Sequence, residues 1–396
     1  MKRIVILALL TSFAIPAATA APKAIPVQLG SIYSAPIGTE LFLQSGKSSI
    51  FISNLNANTA DIQVTANDLT GTQLWQRTID SGADEVVTAA TLDLQGNIWL
   101  AGSAALLTVA ETLTPTTGVD NPDSVIVETS PTQRSDMKNL ALWKLSPMGE
   151  LLGTYLAPLK NIPLATAISA TNSGLAVIGS LDAKPFVITA TTSGAFGKLI
   201  SIGTSKTEFN AVARNSDGTL SIFGSSAETL AGKKVAGIRD GVLIKLSKSG
   251  SITSVVRSSV LKGSRSWFSG DSAHLLSGPV IVGKNVETAI TKFTTAFAPT
   301  WTLRIQSTGP STSLTANGNS YLALTSRGAI TGISGWKPSQ PSLLVITFDS
   351  KGVMKAATAL PGLVNPISLH YSTARGVTGL ASAADGTVSI FTLVSR

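Results

Sequence analysis

A short pattern that recurs seven times is the feature that most limits how this chain can fold. Each copy has a glycine in a turn, followed by a short apolar strand that usually ends in small residues. The turn glycines lie 40 to 78 residues apart, a spacing typical of a repeated supersecondary unit. The copies span residues 46–54, 96–103, 174–180, 218–225, 278–283, 318–324 and 375–382.

A second pattern follows the first: an apolar strand, a polar turn with glycine, and another strand. Clear copies begin at Leu140, Val242 and Leu343, and degenerate copies occupy residues 62–75, 186–199 and 290–303. Together the two patterns give four antiparallel strands in six of the seven units. This arrangement predicts an all-β propeller formed by one domain over residues 21–396.

The blade count and the closure of the ring follow from the two ends of the chain. The seventh unit lacks its last strand, whereas residues 25–34 form an additional strand ahead of the first repeat. We therefore expect seven blades, with the N-terminal strand closing the last blade and removing the open sheet edges. Six blades are the alternative, because units three and five are short and degenerate.

Three units carry extra length between their second and third strands. These insertions cover residues 104–137, 226–239 and 326–341. Connections at this position of a propeller emerge on one face, so we expect the insertions to gather there and to carry the function.

The first twenty residues have the pattern of a cleavable signal peptide. Lys2 and Arg3 precede an apolar run over residues 4–14, and small residues end the segment at Ala20. The run is shorter than the roughly 20 apolar residues of a membrane-spanning helix. We therefore expect a mature chain without a transmembrane segment, located in the periplasm or cell envelope or secreted.

Charge and cysteine content exclude two further classes. The net charge of +8 comes from 30 basic and 22 acidic residues, spread thinly rather than in the basic stripe of a nucleic-acid-binding protein. The chain has no cysteine, which rules out a disulfide framework. We expect a monomer with no nucleic-acid partner and no cofactor.

The clearest repeat runs from Asp217-Gly218 to Gly224-Ser225 and continues through residues 240–250, and Trp143-Lys144-Leu145 matches it in unit two. This pattern resembles the bacterial β-propeller repeat family found in exported proteins. The resemblance implies an architecture and no common reaction, so it assigns no catalytic residue. Residues 70–75 are also similar to the Gly-x-x-Leu-Trp segment of quinoprotein-type propellers, in a single copy.

Few residues suit catalysis. Residues 270–274 superficially match a serine-nucleophile segment with His274, but such an elbow needs a strand-to-helix turn, so a loop is the better interpretation. His370 is the only other histidine. Asp217, Asp349 and Asp385 stand in glycine turns, where Asp accepts backbone hydrogen bonds. Calcium-loop and zinc-cluster motifs are absent from the sequence, so we predict neither a metal nor a catalytic site.

Binding is the better-supported expectation. Trp336 and Lys337 lie in a Gly- and Pro-rich insertion, where the indole either contacts a partner or anchors its own loop. The second insertion is basic, with Lys233, Lys234 and Arg239, and the first is acidic, with Glu111, Asp120, Asp123 and Glu128. The alternative to a binding role is that these charges only keep the loops solvated.

Four other tryptophans are expected to pack in the core or between blades: Trp75, Trp99, Trp143 and Trp301. The leading interpretation is a non-enzymatic binding or scaffolding propeller that recognises a protein or a glycan. A polysaccharide-degrading or quinoprotein-like enzyme is the alternative, and it would place convergent acids or a basic cofactor pocket at the central channel.

Overall fold

The computed structural model describes residues 24–56, 59–105 and 136–393. Regular structure in these ranges is entirely β, and they contain no helix with the length and apolar character of a membrane span. The leader, at residues 1–20, and most of the first insertion, including its four acidic residues, lie outside the described residues.

Thirty-one strands follow one another along the described part of the chain. The N-terminal strands and those of the first three sheets are β1 (Ile25–Leu29), β2 (Ser31–Ser34), β3 (Leu41–Ser45), β4 (Ser48–Asn56), β5 (Ala60–Asn67), β6 (Gln73–Ile79), β7 (Glu85–Leu92), β8 (Ile98–Ala104), β9 (Asn139–Leu145), β10 (Leu151–Pro158), β11 (Pro163–Thr171), β12 (Gly174–Leu181), β13 (Lys184–Ala190) and β14 (Ile200–Ser201). The remaining strands are β15 (Thr207–Arg214), β16 (Leu220–Ser226), β17 (Asp240–Leu246), β18 (Ile252–Ser258), β19 (Ser264–Arg265), β20 (Ser269–Gly270), β21 (Leu275–Val282), β22 (Asn285–Phe293), β23 (Pro299–Gln306), β24 (Ser311–Ala316), β25 (Asn319–Ser326), β26 (Ile333–Ser334), β27 (Ser342–Phe348), β28 (Met354–Leu360), β29 (Leu363–Ser372), β30 (Gly376–Ala383) and β31 (Val388–Thr392).

These strands pair into seven sheets, which we number in chain order. The first four sheets are β3–β6, β7–β10, β11–β14 and β15–β18, and the fifth comprises β19–β23. The sixth contains β24, β25, β27 and β28 with β1 and β26 added at its outer edge, and the seventh contains β29–β31 with β2. The strands of each repeated hairpin pair antiparallel with their neighbours in the sheet, as the repeats predict.

The sheets contact one another in chain order, and the seventh contacts the first. A separate cluster of buried apolar side chains fills each of these contacts. Trp99 and Trp143 are buried in the clusters on either side of the second sheet. The prediction of an all-β propeller is confirmed.

The N-terminal residues close the ring as two strands. β2 pairs antiparallel with β31, from Ser31 opposite Thr392 to Ser34 opposite Ser389, and forms the outer strand of the seventh sheet. β1 instead pairs parallel with β28 of the sixth sheet. The expectation of one strand over residues 25–34 was therefore wrong: the chain crosses between sheets at Gly30, where an added Cβ would lie 2.7 Å from Leu360 Cδ2.

Polar side chains at bulges of the inner strands join neighbouring sheets. Thr88, Thr166 and Asn210 each occupy a position where the register of the inner strand shifts by one residue. Their side chains donate to backbone carbonyls of the next sheet, over 2.7, 3.0 and 2.9 Å. Because a residue at a bulge is left out of the regular pairing between strands, its side chain can form a hydrogen bond to the neighbouring sheet.

At the rim, side chains of the outer strand pack on a turn glycine of the next sheet. Trp75 in β6 covers Gly149 and donates from Nε1 to Pro147 O over 3.1 Å. Trp301 in β23 covers Gly352 in the same way and donates to Ser350 O over 3.2 Å. The prediction that these two tryptophans pack between blades is confirmed.

Candidate functional site

A groove of about 940 Å³ runs along the rim between the fifth and sixth sheets. Five parts of the chain line it: the end of β23, the turn that begins β28, part of the third insertion, the first described residues of the chain, and Glu287 of β22. We refer to it as the rim groove, lined by residues 24–26, 287, 303–306, 329–332 and 352–355.

Trp336 holds the insertion that forms one wall of the rim groove. The indole is only 8 % exposed and packs in the apolar cluster between the fifth and sixth sheets, with Ile330 and Ile333. Its Nε1 donates to Ser326 Oγ over 3.1 Å, at the start of the same insertion. The interpretation of Trp336 as an exposed binding aromatic is therefore wrong, because burial and this hydrogen bond make it the anchor of its loop.

The N-terminal segment forms the adjoining wall. Ile25 pairs with Ile333 of β26 in parallel register, and Ile25 N donates to Gly332 O over 3.0 Å. The third insertion thus leaves the inner part of the sixth sheet and returns to its outer edge. Two segments more than 300 residues apart in sequence, as the Ser334–Ile25 hydrogen bond illustrates, build one side of the groove.

The rim groove combines an apolar surface with charged margins. Its apolar side chains come from Ile25, Leu303, Ile305, Ile330 and Met354.

Two ion pairs flank this apolar surface. Arg304 pairs with Glu287, and Lys355 Nζ lies 3.5 Å from Asp349 Oδ2. Hydrogen bonds from the backbone N–H groups of Val353 and Lys351, with the charge of Lys355, hold the pKa of Asp349 below its usual value, so this margin stays charged.

β23 presents its outer edge towards the groove. It is the last strand of the fifth sheet, and no strand of the described chain pairs with its outer side. Leu303 and Ile305 point towards the sixth sheet, whereas Arg304 is exposed. An edge of this kind can accept an extended peptide by strand addition, with pockets for alternate side chains.

The basic residues predicted for binding lie elsewhere. The second insertion folds around a buried ion pair, with Arg257 Nη1 3.3 Å from Asp240 Oδ2. Lys233 and Lys234 are exposed on this insertion, and Lys233 contributes its carbonyl to Arg257.

Arg239 is tied to its own sheet and to Glu208. Its Nη1 donates to Ser225 Oγ over 3.0 Å and lies 3.9 Å from Glu208 Oε2. Lys337 is exposed on the third insertion. None of these basic side chains lines the rim groove, so the structure does not bring the predicted binding residues together.

The inner strands carry few charged side chains, and the two arginines among them contact neighbouring protein groups. Arg214 donates to Ser173 Oγ and to two carbonyls of the third sheet, and Arg265 stacks 4.2 Å from the centre of the Trp267 ring. Burial, with the nearby charge of Arg304, lowers the pKa of Arg265 to about 10. On the described inner strands the remaining ionisable acids and imidazoles are Glu85, Glu208 and His370.

Both histidines are neutral packing residues. His370 Nε2 is screened from solvent without a hydrogen-bond partner, and the ring meets Phe42 edge-on at 5.3 Å. Burial lowers its pKa to about 4. His274 ends a turn with φ of 57°, and its Nε2 lies 3.2 Å from Ser221 Oγ. Residues 270–274 therefore form a turn between strands, as predicted.

The three turn aspartates also have the predicted structural role. Asp217 and Asp385 accept from Thr219 N and Thr387 N over 2.9 Å. Asp349 accepts from two backbone N–H groups over 2.9 Å each.

Three carboxylates that the sequence did not single out come together between the first and second sheets. Asp61, Asp80 and Glu85 each offer an oxygen within 4.8 Å of the other two. Burial, reinforced by the charges of Asp61 and Asp80, raises the pKa of Glu85 despite its hydrogen bonds from Ser81. Sequence motifs miss this group because Asp61 belongs to β5, whereas Asp80 and Glu85 lie at the two ends of the connection from β6 to β7, and the fold brings Asp61 to them.

Comparison with known proteins identifies a fold and no family. No family model and no curated protein matches the chain, so the resemblance to the exported bacterial repeat family stays a prediction. Among solved structures, the β-propeller domain of the Trilobed protease from Pyrococcus furiosus has a TM-score of 0.50 at 10 % identity, covering 93 % of this chain and 95 % of that one.

Two other similar structures have lower scores. A putative 6-phosphogluconolactonase from Bacteroides fragilis has a TM-score of 0.49 at 10 % identity, covering 88 % of this chain and 91 % of that one. BBS1N in complex with ARL6DN has a TM-score of 0.47 at 10 % identity, covering 93 % and 98 %. The similarity to the Pyrococcus furiosus domain, at 10 % identity, supports the β-propeller architecture and nothing beyond the fold.

Proposed function

We propose that this protein is a non-enzymatic binding module, acting outside the cytoplasm, that recognises an extended segment of a protein partner in the rim groove. The observation that carries the proposal is an apolar groove of about 940 Å³ bordered by the open edge of β23. Sites that bind ligands are typically concave and apolar, with a few polar groups that fix orientation.

The chemistry of the groove favours a peptide over a glycan. Leu303 and Ile330 offer aliphatic contacts, and the edge of β23 offers backbone hydrogen bonds. A strand that pairs with β23 would place alternate side chains against this apolar surface. The ion pairs at the margins, Arg304 with Glu287 and Lys355 with Asp349, would place charged groups of both signs beside the bound segment.

The ionisable groups of the inner strands support binding rather than catalysis. Arg214 is committed to contacts with the third sheet and His370 to a buried apolar site. An enzyme of the polysaccharide-degrading or quinoprotein-like type would need convergent acids or a basic cofactor pocket at the central channel, whereas the two acids of the described inner strands, Glu85 and Glu208, belong to different sheets. The signal-peptide pattern of residues 1–20 supports the proposed location.

The proposal also includes the blade count, which we infer from one blade per sheet. Seven sheets joined by seven apolar clusters support a ring of seven. A projection of the purified protein along the ring axis by electron microscopy tests this count directly, and six lobes would refute it.

The function is tested with residues 21–396 against a phage-displayed peptide library and a glycan array. We expect enrichment of peptides with alternating apolar residues, and at least a tenfold loss of affinity for the selected peptide in Leu303→Glu. Lys337→Glu is the control. This exposed residue lies on the third insertion, which forms one wall of the groove, but its own side chain does not line the groove. Glycan binding without peptide binding, or peptide binding that Leu303→Glu leaves intact, would refute the proposal.

A further inference from the structure

Three acidic side chains converge at the contact between the first and second sheets. Asp61 belongs to β5, Asp80 follows β6, and Glu85 begins β7. Their carboxylate oxygens all lie within 4.8 Å of one another. Like charges at this spacing repel, and the repulsion is strong because two of the three residues are no more than 9 % exposed.

Glu85 gives a second, independent observation that points to a cation at this position. The residue is only 2 % exposed, and its Oε1 accepts hydrogen bonds from the N–H and hydroxyl of Ser81. Its Oε2 is buried and has no hydrogen-bond partner. A buried, unsatisfied carboxylate oxygen is costly to a fold, and native structures normally satisfy such an atom with a donor or a cation.

The other two acids are only partly satisfied by the protein. Asp61 Oδ1 accepts from Thr59 Oγ1 over 2.9 Å, and Asp80 Oδ1 accepts from Gly82 N over 2.7 Å. Within the described residues, no Lys or Arg nitrogen lies within 4.0 Å of any of the three carboxylates. The part of the chain that the structure describes therefore supplies no cationic side chain to the cluster.

We propose that Asp61, Asp80 and Glu85 bind one calcium ion. The donors are all carboxylate oxygens. Such ligands suit hard divalent cations such as Ca²⁺, whereas zinc and copper are more often bound by imidazole or thiolate. Ca²⁺ binds oxygen at 2.3–2.6 Å, so two of its ligands can be nearly 5 Å apart, whereas the shorter Mg²⁺ distances of 2.0–2.1 Å require a tighter group. Water would supply the remaining ligands of a calcium ion at this site.

The position of the site indicates what the ion would do. Glu85 pairs with Ala104 across β7 and β8, and Ala104 is the first residue of the first insertion. Asp61 lies in the first sheet, so one ion would join two sheets at the base of that insertion. Calcium binding would therefore stabilise this contact and the start of the insertion together.

The test is isothermal titration of Ca²⁺ into the chelator-treated chain of residues 21–396, with thermal melts in Ca²⁺ and in EDTA. We expect one Ca²⁺ per chain and a Tm that rises by about 3 °C at a hundredfold excess over Kd. Glu85→Gln should weaken binding at least tenfold and remove the rise in Tm. Asp385→Asn is the control, because this exposed turn acid lies outside the cluster.

The behaviour in EDTA separates loss of the ion from loss of the fold. Without calcium, Glu85→Gln should melt no lower than the unsubstituted chain, because it removes a buried charge that repels its neighbours. Asp80→Asn, at an exposed position, provides a second variant that should also weaken binding. No binding at roughly 5 mM Ca²⁺, above the range of weak extracellular calcium modules, would refute the proposal. Binding that Glu85→Gln leaves unchanged, or Mg²⁺ binding as tight as that of Ca²⁺, would also refute it.

Discussion

The packing of Trp75 on Gly149 predicts a measurable coupling between the first and second sheets. Gly149 has φ of 81°, and a Cβ built on it would lie 2.4 Å from Trp75 Cε3. Gly71 occupies the corresponding turn of the first sheet with φ of 89°, and nothing lies within 4 Å of its Cβ position. The two glycines thus share a backbone conformation and differ in their neighbours.

Substitution by alanine separates the two contributions. Gly71→Ala should cost only the left-handed backbone strain of a residue with a Cβ, about 1–2 kcal/mol. Gly149→Ala adds a steric overlap with the indole, and overpacking of this kind costs about 1–3 kcal/mol more. The difference between the two variants therefore measures the contact between the sheets.

A double-mutant cycle with Trp75→Ala tests this reasoning by urea denaturation. Removing the indole relieves the overlap, so Gly149→Ala should cost no more than Gly71→Ala in the Trp75→Ala background. We expect a coupling free energy of about 1–3 kcal/mol between positions 75 and 149. Equal costs for Gly149→Ala with and without Trp75 would refute the packing described here.

Three further predictions concern other parts of the ring. Trp336→Ala should lower the unfolding free energy by about 3–5 kcal/mol, whereas Lys337→Ala should stay within about 0.5 kcal/mol in the same denaturation assay; equal effects would place the indole in solvent. Burial lowers the pKa of His370 from its ordinary 6.5 to about 4 in the folded chain, so the unfolded chain takes up a proton first as the pH falls. Stability should therefore fall by up to about 3 kcal/mol between pH 6.5 and 4, and His370→Phe should flatten this slope in melts across that range. A chain beginning at Ala35 should melt well below one beginning at Gly30, because only the second retains β2, and equal Tm values would contradict closure by that strand.

The sequence predicts the repeated hairpins well because their signals are local. A glycine turn between two apolar strands specifies a hairpin within about 20 residues, as in β15 to β16 around Gly218. The alternation of exposure along β10 follows the same local pattern. The parallel pairing of β1 with β28 has no such signal, because it joins segments at opposite ends of the chain.

The candidate sites were predicted less well for the same reason. In the sequence, Trp336 stands in a Gly- and Pro-rich insertion, which gives no sign that the fold packs it against Ile330 and Ile333. The rim groove and the acidic cluster each combine segments that are distant in sequence, and no spacing rule links Asp61 with Glu85. Of the five residues predicted for binding, only Lys233, Lys234 and Lys337 are exposed, as expected for side chains on insertions.

The joint between the seventh and first sheets has a consequence for how the chain folds. Its apolar cluster has only four buried residues, Phe42, Phe51, Leu380 and Ile390. The seventh sheet beside this joint contains the pairing of β2 with β31, so a strand made early pairs with one that is made more than 350 residues later. A chain growing from its N-terminus can complete each earlier contact between sheets in order, but β2 has to wait for the final strand. The nascent protein is therefore an open arc until β31 has been synthesised, and this joint is where we expect folding to finish and local opening to begin.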